Sequence, residues 1–334
     1  MDVSEIDELI AAGSYEAQYR AQYIEIAQAL KIAIASSVLI TILVCAVVLG
    51  RLLSRAFIVK HFGADDALAL SALIIFIPFS AITIEYFVAT AHPGTPESIS
   101  LAIEYAVFPL YCTTLVLTRV SGLAFYYRIC HLYQEFLVTI KVVFGILVAG
   151  YVVEALLLIF HCWPLTSLFH SRGYACFEDG CFTCFVTWFH ASIAISTISF
   201  VSDLLLFSLP VAMLRALPHM PRKQKMQLAC ILLPGFAVVG ISISLMPIIV
   251  RMHYFQNERQ LDMNLYQEFI KTNVLLYLLQ NLEISAMLIA ISLPGLKPLV
   301  DKYCHEARSV ARLVRRKERP EMVLESSEKA PSKL

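Results

Sequence analysis

Seven long runs of apolar residues alternate along the chain with shorter segments that hold most of the charges. Each run is about 20 residues or longer, the length that an α-helix needs to cross about 30 Å of hydrocarbon. Because lipid offers no hydrogen-bond partner to the backbone, each run is expected to be helical. The pattern predicts an all-α fold, a polytopic membrane protein built as a seven-transmembrane-helix bundle. The predicted spans are roughly 29–50, 67–90, 101–127, 136–160, 185–213, 227–250 and 268–293.

The polar ends of the chain flank this membrane region. Residues 1–28 are predicted to form an exterior leader, 29–298 the membrane domain and 299–334 a basic tail. The leader begins with the acidic stretch MDVSEIDELI, whereas a secretory signal peptide begins with basic residues. A helical tail would place Tyr303 and Val310 on one face and basic residues on the other. That pattern suits either a helix lying on an anionic leaflet or a solvated tail.

Composition and charge narrow the class of partner. Hydrophobic residues make up 58% of the chain and charged residues 16%, against about 45–50% and about 25% in an ordinary soluble domain. The partner predicted from this excess is the lipid bilayer. The formal net charge is zero, so the whole chain has no field that would favour a nucleic-acid partner.

The basic residues are unevenly divided between the two sides of the predicted bundle. Four fall in one set of connections, whereas eighteen of the 26 fall in the other set, in 51–60, at Arg128, in 215–225 and from Lys297 onward. Cytoplasmic connections carry the excess of Lys and Arg. The C-terminus is therefore predicted to be cytoplasmic and the N-terminus exterior or lumenal, in the plasma membrane or an endomembrane. A cytoplasmic partner could meet the 215–225 loop and the tail.

Four of the nine cysteines lie in or beside the long fourth connection, on the predicted exterior side. Disulfides form and persist in that environment. We expect one structural disulfide, with Cys162 bridged to Cys176 or Cys181, and a redox or metal site is the alternative. The CFTC sequence that contains Cys181 and Cys184 lacks the second cysteine pair or close histidine pair that is typical of zinc sites. No metal site is predicted.

Three charges lie near the middle of predicted spans, where a charge costs about 2.5–3.5 kcal/mol even on insertion scales. They are Arg119 in span three, Asp203 in span five and Glu283 in span seven. Counted from the cytoplasmic helix ends at about 1.5 Å per residue, their depths agree to a few ångströms. The three residues are predicted to form a buried ionic cluster. It could only fix helix register, or it could be a switch or bind a polar group of a ligand.

A second set of carboxylates lies toward the exterior, at Glu85, Glu104 and Glu154. They could line a cleft for a small lipophilic molecule together with nearby aromatic and histidine side chains. They could also simply reach the membrane interface and be solvated. If the protein is an enzyme, these three are the candidate catalytic acids. The aromatic and histidine neighbours are Tyr86, Tyr105, His92 and His161.

Several chemistries are disfavoured by the pattern. A retinal protein needs a lysine in the middle of the last span, where this chain has Lys271 only at the outer end, so no cofactor is predicted. The pair Asp65 and Asp66 has no third acid four residues on, as a magnesium-dependent prenyl-transfer site would require. The pair is more simply interpreted as a helix start, with one carboxylate accepting the first free N–H groups.

Five short motifs, in order, resemble one known family. They are GADD at 63–66, RVSGLAFYYRI at 119–129, CWP at 162–164, SDLLLFSLP at 202–210 and LEISAMLIAISLPGLKPL at 282–299. The chain resembles the fungal rhodopsin-domain family of seven-span membrane proteins over about residues 30 to 300. That group includes a satratoxin-cluster membrane protein and receptor-like proteins of plant-infecting fungi. The shared pattern contains Arg119, Asp203 and Glu283, which implies a common architectural or switching role for these charges.

Two functional hypotheses follow. The first is a receptor-like or accessory membrane protein that binds a small lipophilic molecule in the bundle, tied to fungal secondary metabolism or to host or surface sensing. The second is a membrane-embedded biosynthetic enzyme, an acid-catalysed cyclase or isomerase of a secondary-metabolite pathway. A buried carboxyl group could serve as its general acid without a cofactor.

Overall fold

The computed structural model describes residues 3–60, 62–91, 97–129, 134–160, 181–216, 222–257 and 263–328. Seven α-helices account for nearly all of these residues, and no strand occurs among them. The first and last helices extend well past the spans, into the predicted leader and the predicted tail. In chain order the helices are α1 Val3–Leu53, α2 Ala64–Ala91, α3 Glu97–Ile129, α4 Gln134–Phe160, α5 Cys181–Ala216, α6 Arg222–Asn257 and α7 Met263–Glu328.

Each helix contains a segment that is long and apolar enough to cross a membrane. The predicted all-α fold with seven membrane-spanning helices is therefore confirmed. The spanning segments are Ile24–Val59, Ala64–Ala91, Tyr105–Ile129, Gln134–Phe160, His190–Arg215, Pro234–Met252 and Gln267–Leu299.

The helices form a closed ring in which each packs against its sequence neighbours and α7 returns to α1. Within the ring α3 also touches α5 and α7, so it is the central helix. Its span and that of α7 are the most buried, whereas those of α1, α4 and α6 are the least buried. Side chains of α3 and α7 are therefore the best placed to meet several helices at once.

The bundle turns apolar side chains outward and polar side chains inward. Leu39 of α1, Val142 of α4 and Ile243 of α6 are among many large apolar residues that are 40% or more exposed. In contrast, Thr118 and Asn281 are fully buried. This arrangement fits a lipid solvent, in which outward-facing groups must be apolar and inward-facing polar groups must find partners within the protein.

The end of α1 departs from regular α geometry. A short π-helical segment, Ser54–Val59, follows Leu53. It stops at Lys60, whose φ of 52° is the one positive value at a non-glycine residue in the described chain. The backbone then turns toward Gly63, whose carbonyl oxygen accepts hydrogen bonds from the N–H groups of Asp66 and Ala67. This turn brings the ends of α1 and α2 together.

Candidate functional site: two buried polar clusters

A buried ion pair joins α3 to α5 in the middle of the membrane. Arg119 Nε donates to Asp203 Oδ1 at 2.9 Å, and both side chains are 3% exposed or less. The guanidinium also donates from Nη2 to Ser199 Oγ at 2.5 Å and to the Ser199 carbonyl oxygen at 3.2 Å. Ser199 precedes Asp203 by one helical turn, so a single face of α5 holds the whole guanidinium.

Glu283 of α7 is linked to this pair through a serine, without touching the arginine. Ser242 Oγ of α6 lies 2.7 Å from Asp203 Oδ2 and 2.7 Å from Glu283 Oε1. The other oxygen of Glu283 accepts a hydrogen bond from the Tyr111 hydroxyl of α3. Glu283 is fully buried, and no basic group of the described residues forms an ion pair with it. We call Tyr111, Arg119, Ser199, Asp203, Ser242 and Glu283 the central network.

The geometry around Ser242 has a chemical consequence. Besides the two carboxyl groups, the Val238 carbonyl oxygen lies 3.0 Å from Ser242 Oγ. A serine hydroxyl has one hydrogen to donate, so it cannot satisfy three acceptors. A protonated carboxyl group would supply the missing donor. Asp203 already accepts a hydrogen bond from the Arg119 guanidinium, whereas no described basic group pairs with Glu283, so Glu283 is the acid better placed to hold the proton.

A second buried cluster lies where α1 ends and α2 begins. Arg51 is fully buried, and its guanidinium donates from Nη2 to Asp65 Oδ2 at 2.8 Å and from Nε to Asp66 Oδ1 at 2.9 Å. Arg128 Nη1 lies 3.2 Å from Asp65 Oδ1, and Arg55 Nε lies 3.9 Å from Asp66 Oδ1. We call these five residues the Arg51 cluster. It holds three cations against two carboxylates.

The Arg51 cluster also links the ends of α1 and α2 to α7 and α3 through hydrogen bonds. Arg51 Nη1 donates to the Ile291 carbonyl oxygen of α7 at 2.6 Å, and Ser121 Oγ of α3 donates to the Asp65 carbonyl oxygen at 2.8 Å. Gly295 leaves the space that the arginine uses, because a Cβ there would lie 2.8 Å from Arg51 Cγ. The Arg51 side chain thus joins α1 to α2 and α7, and Ser121 joins α2 to α3.

The Arg51 cluster corrects one expectation from the sequence and adds to another. Arg51 was counted among the charges of a connecting loop, but it lies in α1 and is buried. The pair Asp65 and Asp66 lies at a helix start, as expected, in the first turn of α2, which begins at Ala64. Asp66 Oδ2 accepts one hydrogen bond from the Gly63 N–H at 3.2 Å, and the other carboxylate contacts are to arginines. The sequence did contain a signal for this cluster: a basic residue at the end of one span, followed by an acidic pair at the start of the next.

Glu85 and Glu154, the two outer carboxylates whose side chains the structure describes, are not brought together. Glu85 is exposed on α2, whereas Glu154 is buried on α4, and these two helices pack on different sides of α3. The proposed common cleft is therefore not formed by this pair. Tyr86 instead packs against Tyr277 of α7, with ring centroids 4.7 Å apart. The side chain of Glu104 and residues His92 and His161 lie outside the described part of the chain.

The disulfide prediction falls on residues whose geometry is not described. Cys162 and Cys176 lie outside the described residues, as do the side chains of Cys181 and Cys184. The bridge therefore stays a prediction. Cys45 and Cys112, within the described spans, are free thiols. No group of three or more potential metal ligands occurs among the side chains that the structure describes.

The ring of seven apolar helices around buried ion pairs defines the protein as an integral membrane protein of the seven-helix class. A family model, the fungal rhodopsin domain, matches residues 50–302. The chain belongs to this family, as the five sequence motifs predicted. No curated protein and no solved structure matches it.

Proposed function

We propose that the protein is a receptor-like membrane protein in which the central network switches the packing of α3, α5, α6 and α7. The competing view is that the network only fixes helix register. The observation that carries the proposal is the arrangement around Ser242, where one hydroxyl lies between Asp203 and Glu283 with too few hydrogens for its neighbours. A network of this kind has two states that differ by one proton.

The two states differ in how strongly they hold the helices. With Glu283 protonated, the network has one cation and one carboxylate, and the acid donates to Ser242. With Glu283 ionised, two carboxylates face one hydroxyl in a low-dielectric interior, where like charges repel strongly. Ionisation would therefore loosen the contact of α6 with α5 and α7.

The positions of these helices connect the switch to the outside of the bundle. Asp203 and Ser242 lie on α5 and α6, the two helices that are joined through the 215–225 loop, where a cytoplasmic partner is predicted. Pro210 lies inside α5 and Pro234 and Pro247 lie inside α6. A proline within a helix removes a backbone hydrogen bond and permits a kink. Loosening at the network could thus be passed to the connecting loop.

The ligand class that we propose is a small lipophilic molecule, entering the bundle from the predicted exterior side. We propose that such a protein acts in fungal secondary metabolism or in host or surface sensing, as the family resemblance implies. The proposal involves no retinal, because Lys271 at the outer end of α7 donates to Glu25 of α1 at 2.8 Å instead of lying in mid-span.

The second hypothesis is a biosynthetic enzyme, and the environment of Glu154 favours it. That side chain is 4% exposed and forms no ion pair or hydrogen bond with the described residues.

The switch can be tested with spin labels at two exposed positions, Leu53 on α1 and Ala237 on α6. In lipid nanodiscs, an alkaline pH series that ionises Glu283 should lengthen the distance between the labels. A glutamine cannot ionise, so Glu283→Gln should remove the response. Glu268→Gln is the matched control, because Glu268 lies on the same helix in an exposed pair with Arg251. If the distance in the wild type does not change with pH, the network only fixes helix register.

A further inference from the structure

A cavity of about 700 Å³ lies between the start of α2, the last turns of α3 and the first turns of α4. Its rim is open to the lipid side of the bundle, since Tyr127 of α3 and Phe144 of α4, which both line it, are each 46% exposed. The volume falls in the range of about 300–1,000 Å³ that is usual for small-molecule sites. A membrane lipid could therefore enter the cavity sideways, without passing through the ring of helices.

The long wall of the cavity is apolar. Three residues of α3 and two of α4 form it, namely Val120, Leu123, Ala124, Ile140 and Phe144. From Val120 to Arg128 at the polar end, α3 rises by about 12 Å. The small side chain of Ala124 leaves room in the middle of this wall, so a rigid apolar body could lie along α3.

The polar end of the cavity contains an ion pair. Asp65 and Arg128 both line the cavity, with Oδ1 and Nη1 3.2 Å apart. These two charges compensate each other, so this end favours an uncharged polar group. A hydroxyl group suits it, because a carboxylate oxygen can accept two hydrogen bonds, and Asp65 Oδ1 and Oδ2 each accept one from an arginine. Lys141 of α4 is exposed, and its long side chain can extend the ammonium group toward the membrane surface.

The sequence along this wall contains a short pattern that has been proposed for contact with cholesterol. It consists of a Leu or Val, a Tyr and a Lys or Arg at close spacing, here Leu123, Tyr126 and Arg128. Leu123 and Arg128 line the cavity, and the tyrosine that lines it is the neighbouring Tyr127. Such patterns are frequent by chance. The shape and chemistry of the cavity therefore carry the inference, and the pattern agrees with them.

We propose that this cavity binds a sterol, with its hydroxyl group donating to Asp65 and its fused rings along the wall formed by α3 and α4. A sterol has one uncharged polar group at the end of a rigid apolar body, which matches the single polar end and the long apolar wall. In the predicted orientation this site lies in the cytoplasmic leaflet. Because Asp65 also binds Arg51, the sterol would lie against the Arg51 cluster. The site is separate from the central network and does not depend on the proposed switch.

The test measures binding of tritiated cholesterol to the full-length protein, delipidated in detergent. Unlabelled cholesterol should compete. Its methyl ether lacks the hydroxyl hydrogen and should compete at least about tenfold more weakly, the factor expected for one hydrogen bond to a charged group. Ala124→Phe fills the apolar wall and should abolish saturable binding. Ala237→Phe is the matched control and should leave binding unchanged, because Ala237 is an exposed alanine of α6 outside the cavity wall.

The melting temperature of each variant shows whether it is folded. Cholesterol should raise this temperature in the wild type but not in Ala124→Phe, because a ligand that binds the folded state stabilises it. If Ala124→Phe does not fold, the comparison with the methyl ether decides. Equal competition by cholesterol and its methyl ether, or equal binding to two folded variants, would overturn the proposal. So would displacement of cholesterol by phosphatidylcholine as effective as that by unlabelled cholesterol, since that result would assign the cavity to lipid chains in general.

Discussion

Replacing Arg51 by methionine is expected to lower the free energy of unfolding by about 3–5 kcal/mol, the usual cost of removing one partner from a buried ion pair. The reason is that Asp65 and Asp66, with side chains 3% and 0% exposed, would lose their shared guanidinium. The hydrogen bond to the Ile291 carbonyl oxygen of α7 would also be lost. Denaturation of the purified protein in mixed detergent micelles measures the change.

An exposed arginine provides the control. Arg251→Gln removes an arginine from an exposed ion pair with Glu268 and should cost at most about 1 kcal/mol. If Arg51→Met cost no more than Arg251→Gln, the Arg51 cluster would not hold the bundle together.

The second large effect is expected at the pair of Arg119 and Asp203. Asp203→Asn should cost about 3–5 kcal/mol, because Arg119 would keep its charge in the interior with only the Ser199 oxygens as direct acceptors. Replacing both residues, with Arg119→Gln as the second change, should cost less than Asp203→Asn alone. The measurement is a double-mutant cycle on unfolding in detergent.

The cycle should give a coupling energy of at least about 1 kcal/mol, in the range found for residues in one buried network. The same cycle on the exposed pair of Arg251 and Glu268 is the control and should give less. Strictly additive effects at positions 119 and 203 would mean that the two side chains do not interact. Asp203 would then be better explained by a water-filled cavity, with a proton or ligand pathway.

The span count could be predicted from the sequence because its signal is local. Each run had to be apolar over a helix long enough to cross the membrane, and no knowledge of the neighbouring helices was needed. The similar depth of Arg119, Asp203 and Glu283 in the membrane could be predicted from the helical rise of about 1.5 Å per residue. The sequence could not predict which side chains contact each other at that depth. Ser242 and Tyr111 resemble many other polar residues in the spans, and only the rotation of each helix about its axis shows that they face Glu283.

The Arg51 cluster was missed for a different reason. A basic residue at the end of an apolar run is most simply interpreted as a loop charge that sets orientation. Its burial depends on the turn at Lys60 and Gly63, which brings Asp65 and Asp66 back to α1, and on the space left by Gly295. Three of the five family motifs meet in or beside this cluster, since they contain Asp65, Arg128 and Gly295. Their significance became visible only through tertiary contacts.

The proposed switch requires a proton on Glu283, beside the ion pair of Asp203 and Arg119. The most direct measurement is an infrared difference spectrum of the protein in lipid at neutral pH, wild type against Glu283→Gln. We expect the wild type to have the C=O stretching band of a protonated carboxyl group, and we expect this band to be lost in Glu283→Gln but kept in the control Glu154→Gln. A wild-type spectrum without a protonated-carboxyl band that depends on Glu283 would contradict the proposed switch.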